Sequence, residues 1–296
     1  MNTSSVPRRW LLLGSTAITL AALGVSQATA GRPADLTEPA TTEVVATPVA
    51  ADMPSVSGDG RLVAYAGAPG EADGRVRSIW LLDRGDGSRV EITPQTGDLK
   101  TGESAWPVLS TDGCSLTFLT EIPYDLFRDD DRVGRWDVYR QELPGCGGTL
   151  GDLELVSTRG SGFDAAAADD VVPTDRPAVS ADGSVVAYTH HFGHGDDGVT
   201  GVMVVDLAIA VGELGRSRPV QGTPLESPVG AFRQHGLSQP SINFDGSILA
   251  FTSDANSTEA QPTWGGGLEP GEDATSRIFV WNRFDTDPTT AVREVS

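Results

Sequence analysis

Residues 128–137, RDDDRVGRWD, set Asp129, Asp130, Asp131 and Asp137 within one short stretch. Grouped carboxylates supply the hard oxygen ligands that Ca²⁺ takes. The stretch GEDATS repeats the pattern on a smaller scale with Glu272 and Asp273. The spacing departs from an EF-hand, since Gly134 misses the required position and no Glu stands at the twelfth. An acidic, solvated loop that keeps the chain soluble has the same composition, so both readings stand. A second cluster, HHFGHGDD, carries His190, His191, His194 and Asp196. Neutral imidazoles with a carboxylate suit Zn²⁺ or Cu²⁺. Neighbouring strand residues point to opposite faces, so at most one of His190 and His191 joins His194 and Asp196. Surface histidines without a metal are the simpler alternative. Trp264, in a Gly-rich stretch, is placed to stack on a sugar or peptide, whereas Trp106 and Trp136 lie in strand-like runs and read as packing. No serine sits in a G-x-S-x-G elbow, and no catalytic set emerges.

The elements that would position these residues come from a repeat. PSVSGDG at 54, PVLSTDG at 107, PAVSADG at 177 and PSINFDG at 240 align without slippage. Three residues after each Pro stand Ser57, Ser110, Ser180 and Asn243; then come Asp59, Asp112, Asp182 and Asp245, each followed by Gly60, Gly113, Gly183 and Gly246. An apolar run follows and ends in Tyr65, Phe118, Tyr188 and Phe251. Asp-Gly between apolar runs is a strong hairpin signal, because Gly accepts positive φ and Asp bonds its own backbone. The preceding Ser or Asn closes the loop from the other side. Pro is expected at the head of a strand, a sheet position it tolerates. Two further strand-like runs follow each hairpin, for example RSIWLLD and RVEITPQ, and no helical period appears after the N-terminal segment. Each unit reads as a four-stranded antiparallel meander. The expected fold is all-β, a β-propeller with blades at about 54–95, 107–159, 177–222 and 240–296.

The pattern P-x-x-S-x-D-G-x-x-x-A-[YF], followed by the third and fourth strand runs, resembles the TolB-type (WD40-like, PD40) propeller repeat over residues 43–296. The long, Asp- and Gly-rich insertions look more like the secreted actinobacterial versions of that repeat. The resemblance implies a propeller used as a binding platform, a translocation partner or a peptidase accessory domain. Four blades lies at the low end for propellers. The run TEVVATP (42–48) resembles a surplus fourth strand. The chain therefore reads either as a fragment of a six- or seven-bladed ring or as a four-bladed ring or arc with a frayed first strand.

Strand alternation puts the tight Asp-Gly turns on one face. The long acidic connections 121–134, 190–200 and 253–275, together with 160–175 and 223–239, open on the other, beside His235 and Trp264. Variable loops on a rigid scaffold are where binding is usually placed. At the N-terminus, Arg8 and Arg9, an apolar run from Trp10 to Leu23 and SQATA read as a signal peptide over 1–30, with a flexible leader over 31–42. The apolar run is shorter than the roughly 20 residues a spanning helix needs, so no transmembrane segment is expected after cleavage. The chain is thus expected to be secreted or held in the cell envelope, by the general or the twin-arginine route. Cys114 and Cys146, the two cysteines of an exported chain, are expected to pair, since the meander puts both at the same end of one blade. A net charge of −20 argues against nucleic acid as a partner and favours cations. The expected function is a non-catalytic binding or scaffold module for a protein or polysaccharide. The alternatives are a Ca²⁺-dependent propeller hydrolase or lyase and a TolB-like subunit of an envelope complex.

Overall fold

Short β-branched and aromatic runs, each closed by an Asp-Gly or Asn turn, leave the chain few options beyond local antiparallel sheets. The computed structural model describes residues 50–68, 76–94, 102–122, 124, 136–150, 153–157, 170–171, 175–192, 199–210, 213, 216–220, 238–253, 277–285 and 291–295. The segments read as signal peptide, leader and surplus strand lie outside these residues. Among the described residues, no helix is long and apolar enough to cross a membrane.

The first sheet contains β1 (Ala50–Val56), β2 (Leu62–Ala68), β3 (Ser78–Asp83) and β4 (Arg89–Glu91) in sequential order. The second contains β5 (Ser104–Leu109), β6 (Ser115–Thr120), β7 (Asp137–Glu142) and β8 (Leu153–Leu155). In the third, β9 (Asp170–Val171) and β10 (Ala178–Val179) both pair with β11 (Val185–Phe192), followed by β12 (Val199–Asp206) and β13 (Ser217–Pro219). The fourth contains β14 (Ser238–Ile242), β15 (Ile248–Ser253), β16 (Arg277–Asn282) and β17 (Val292–Glu294). Every pairing is antiparallel. These are four blades of a β-propeller.

The cores lie between the blades. Side chains alternate across each strand, so β6 turns Leu116 and Phe118 towards the first blade and Leu119 towards the third. Phe118 packs against Ala64 and Ala66, and Tyr188 against Leu119 and Val138. Phe251 likewise packs against Ala187 and Val204. Each buried aromatic comes from the last apolar position of the repeat. Burying such a side chain contributes about 1.5–3 kcal/mol. Aromatic neighbours across β6–β7 and β15–β16 stack, Phe118 on Tyr139 at 6.5 Å and Phe251 on Phe279 at 5.9 Å.

The turns link the blades at one end. Gly58 N–H donates to Thr111 O at 2.8 Å, Asp112 N–H to Ala181 O at 3.1 Å, and Ala181 N–H to Phe244 O at 2.9 Å. Gly183 stands at φ +69°, and a Cβ built on it would lie 1.9 Å from Ser115 Oγ. Gly87 has a similar φ of +75° but nothing within 4 Å of such a Cβ. Positive φ alone costs an L-residue roughly 1–2 kcal/mol, and overpacking adds about 1–3 kcal/mol. Gly183→Ala is therefore expected to destabilise by about 2–5 kcal/mol and Gly87→Ala by about 1–2 kcal/mol, read as urea midpoints. Equal losses would show that the turn of the third blade does not bear on the second.

The proline of the heptad departs from expectation. Pro54, Pro107 and Pro240 stand inside β1, β5 and β14, not at their heads. Each follows a residue in the left-handed region: Met53, Trp106 and Gln239 all have φ of 52°. The pairing register shifts at each of these places, which marks a β-bulge. A bulge leaves one residue out of the ladder, so the missing proline N–H costs no ladder bond.

Candidate binding site on the innermost strands

The paired Ser and Asp of the repeat are consumed by their turns. Ser57 Oγ donates to Asp59 Oδ1 at 2.6 Å and accepts the Leu62 N–H at 2.9 Å. Ser110 and Ser180 repeat this geometry with Asp112 and Asp182, at 2.6 and 2.7 Å. In the fourth blade Asn243 Oδ1 accepts the Ile248 N–H at 2.9 Å, and Asp245 accepts the Ser247 hydroxyl at 2.6 Å. The Ser57 hydroxyl and the Arg61 amide hold the Asp59 carboxyl below its ordinary value. The Ser247 hydroxyl and amide do the same for Asp245. Gly60, Gly113, Gly183 and Gly246 take φ between 69° and 72°, closing each loop after a turn from the Ser or Asn carbonyl to the Gly amide. Ser57, Ser110 and Ser180 are each buried, with an oxygen that already accepts a backbone amide, so each is closed to a substrate and makes a poor nucleophile.

Of the residues singled out for metals, His190 and His191 are neighbours in β11, and Asp137 sits at the start of β7. There its Oδ1 accepts the Ser157 hydroxyl at 2.6 Å, tying β7 to the chain beyond β8. Asp129, Asp130, Asp131, His194, Asp196, His235 and Trp264 lie outside the described residues. Among the described residues, no three His, Cys, Asp or Glu side chains gather as a metal site. Cys114 and Cys146 form a disulfide with their Cα atoms 5.3 Å apart. A cavity of about 210 Å³ opens near it, lined by Arg140, Glu142, Thr149 and Glu154. Its charges serve the blades: Glu154 meets both Arg140, at 3.5 Å, and the buried Arg216 of the next blade.

The first strand of every blade is the innermost, and the residue before its heptad proline breaks the ladder. These residues are Met53, Trp106, Arg176 and Gln239. The bulge recurs in three blades and is architectural, but the side chains it presents differ in each. Trp106 N–H contacts Met53 Sδ at 3.4 Å, joining the first two blades. In the third blade the inner strand is split between Val171 and Ala178, which carries Arg176 out of the sheet. Arg176 Nη2 donates to Ser55 Oγ of the first blade at 3.3 Å, and Ser55 Oγ also accepts the Leu109 N–H at 2.9 Å. Asp175 Oδ2 accepts the Thr189 hydroxyl at 2.8 Å and the Gln239 N–H at 3.3 Å. A contact from blade three to blade one requires tight curvature, with the inner strands gathered around a common axis. Met53 and Trp106 are half-buried, and Arg176 and Gln239 are exposed. Non-glycine residues at positive φ cost about 1–3 kcal/mol each and cluster at ligand clamps.

Trp106 lies in a strand and packs, as its place in a strand-like run implies. It packs on the core between blades two and three and is left half-buried at the bulge. The available signal was positional: the residue preceding each heptad proline.

Neither a protein-family model nor a curated protein sequence matches the chain. Solved structures similar to it include the tricorn protease, at 14% identity over 85% of this chain and 22% of that one, with a TM-score of 0.48. A putative TolB from Agrobacterium tumefaciens is 17% identical over 86% of this chain and 65% of that one, with a TM-score of 0.45. An oligogalacturonate lyase in complex with manganese is 16% identical over 82% and 51%, with a TM-score of 0.44. The chain thus spans between about a fifth and two thirds of these structures.

Proposed function

We propose that this chain is an extracytoplasmic, TolB-like propeller module that binds a protein or polysaccharide ligand without transforming it. The observation that carries this reading is the inner edge. Four different side chains, Met53, Trp106, Arg176 and Gln239, stand at equivalent positions, and blade-to-blade bonds hold this edge together: Trp106 N–H to Met53, Arg176 to Ser55 and Gln239 N–H to Asp175. An apolar sulfur, an indole, a guanidinium and an amide suit recognition of a mixed ligand surface. The Ser–Asp pairs that resemble chemistry are bound up in turns. The Cys114–Cys146 bridge suits an oxidising compartment and supports export under the N-terminal signal.

Peptide and glycan arrays probed with the full chain test the reading. Retained ligands should lose at least tenfold in affinity with Trp106→Leu, which keeps apolar bulk in the strand, and nothing with Phe244→Ala at the opposite turns. Release of cleaved products from a retained ligand would favour a hydrolase or lyase instead. Failure to retain any ligand would remove the proposal.

A further inference from the structure

The chain carries a formal charge of −20, so a cation on it without a carboxylate partner is unusual. Among the described residues, Arg61, Arg77, Arg140, Arg216 and Arg283 each contact an Asp or Glu. Arg176 contacts none of the described carboxylates. Its neighbour Asp175 is turned to Thr189 and Gln239 instead.

We propose that Arg176 recognises a carboxylate of a bound peptide, whose adjoining apolar side chain lies on Trp106 and Met53. This rests on the binding reading above and names the ligand class. Four observations support it. The guanidinium is anchored to Ser55 Oγ of the first blade, so its head group is positioned before a ligand arrives. That bond takes one of five N–H donors, and a planar fork with donors left over matches a carboxylate in two-point fashion. Partial desolvation lowers the Arg176 pKa from its ordinary value, and no carboxylate beside it acts in the other direction. A single carboxylate also suits the surrounding field: a phosphate dianion would meet stronger repulsion from the acidic chain with only one arginine to offset it.

The neighbours favour peptide over acidic sugar. Met53 is a flexible, polarisable thioether that adapts to varied apolar side chains, and Trp106 adds a rigid apolar wall. The exposed Gln239 can both donate to and accept from a peptide backbone.

Calorimetric titration of the full chain with N-acetyl-Leu-Glu-Leu-amide, its Gln twin and tri-galacturonate tests this. The Glu peptide should bind at least tenfold more tightly than the Gln peptide. Arg176→Gln, an exposed position whose variant should melt as the parent does, should make the two peptides bind alike. Arg176→Lys should keep only part of the difference, while Trp106→Leu should weaken both peptides by a similar factor. Equal binding of the two peptides to the parent chain, a preference that survives Arg176→Gln, or no binding of either peptide would overturn the assignment. Tri-galacturonate binding that depends on Arg176, without peptide binding, would overturn it in favour of an acidic polysaccharide. If arrays return ligands that depend on Trp106 and ignore Arg176, the binding reading survives and the carboxylate assignment falls.

Discussion

Replacing Phe118 with alanine is expected to destabilise the protein by about 3–5 kcal/mol, the usual range for a fully buried phenylalanine. Phe118 is 0% exposed, and it packs into the groove made by Ala64 and Ala66 of the preceding blade. Its ring also stacks on Tyr139 one strand away. The loss has two parts: the transfer energy of the ring, and the void left because two flanking sheets cannot collapse onto it. Phe244, also in the repeat but 77% exposed on a turn, should change stability by no more than about 0.5 kcal/mol when replaced by alanine. Urea unfolding with an unchanged m-value is the appropriate reading of both. A Phe118→Ala loss under about 1 kcal/mol would mean that the interface between the first two blades does not hold as described. Tyr188 and Phe251 occupy the same repeat position, at 2% and 1% exposure, and should respond in kind.

Removing the disulfide should cost nearly as much. Cys114 and Cys146 are separated by 32 residues, and closing a loop of that length restricts the unfolded chain by about 3–4 kcal/mol in the chain-entropy account. The bridge ties the start of β6 to the short 3₁₀ turn Pro144–Cys146 after β7, beside a backbone bond from Leu143 N–H to Cys114 O at 2.8 Å. It thereby encloses the long connection between β6 and β7. The Cys114→Ser, Cys146→Ser double variant should melt well below the parent, and reductant should lower the parent towards it without affecting the variant. Two titratable thiols in the denatured, unreduced parent would end this account.

Both predictions involve features that sequence patterning reaches easily. The blades were legible because their turns are local: a Ser or Asn, an Asp and a Gly within four residues close a loop through bonds no longer than five residues. The aromatic at the end of each apolar run was legible as packing, since alternation assigns it to a face. The cysteine pair followed from strand order alone, because neighbouring antiparallel strands bring those two positions to one end of one sheet.

The inner edge was not legible, and the reason is physical. Nothing about Met53, Trp106 or Gln239 announces a left-handed backbone, which local preference assigns to Gly or Asn. Those conformations are held by contacts between blades, such as Trp106 N–H on Met53 Sδ and Leu109 N–H on Ser55 Oγ. For the same reason the expectation of a proline at each strand head missed the bulge that precedes it. Arg176 and Ser55 stand 121 residues apart and meet only because successive blades curve round a common axis. By itself the sequence determined the repeated blade, its turns and its disulfide, since each is set by short-range bonding and strand alternation. Only the tertiary structure decided which side chains face the axis, because that depends on the angle at which whole sheets pack.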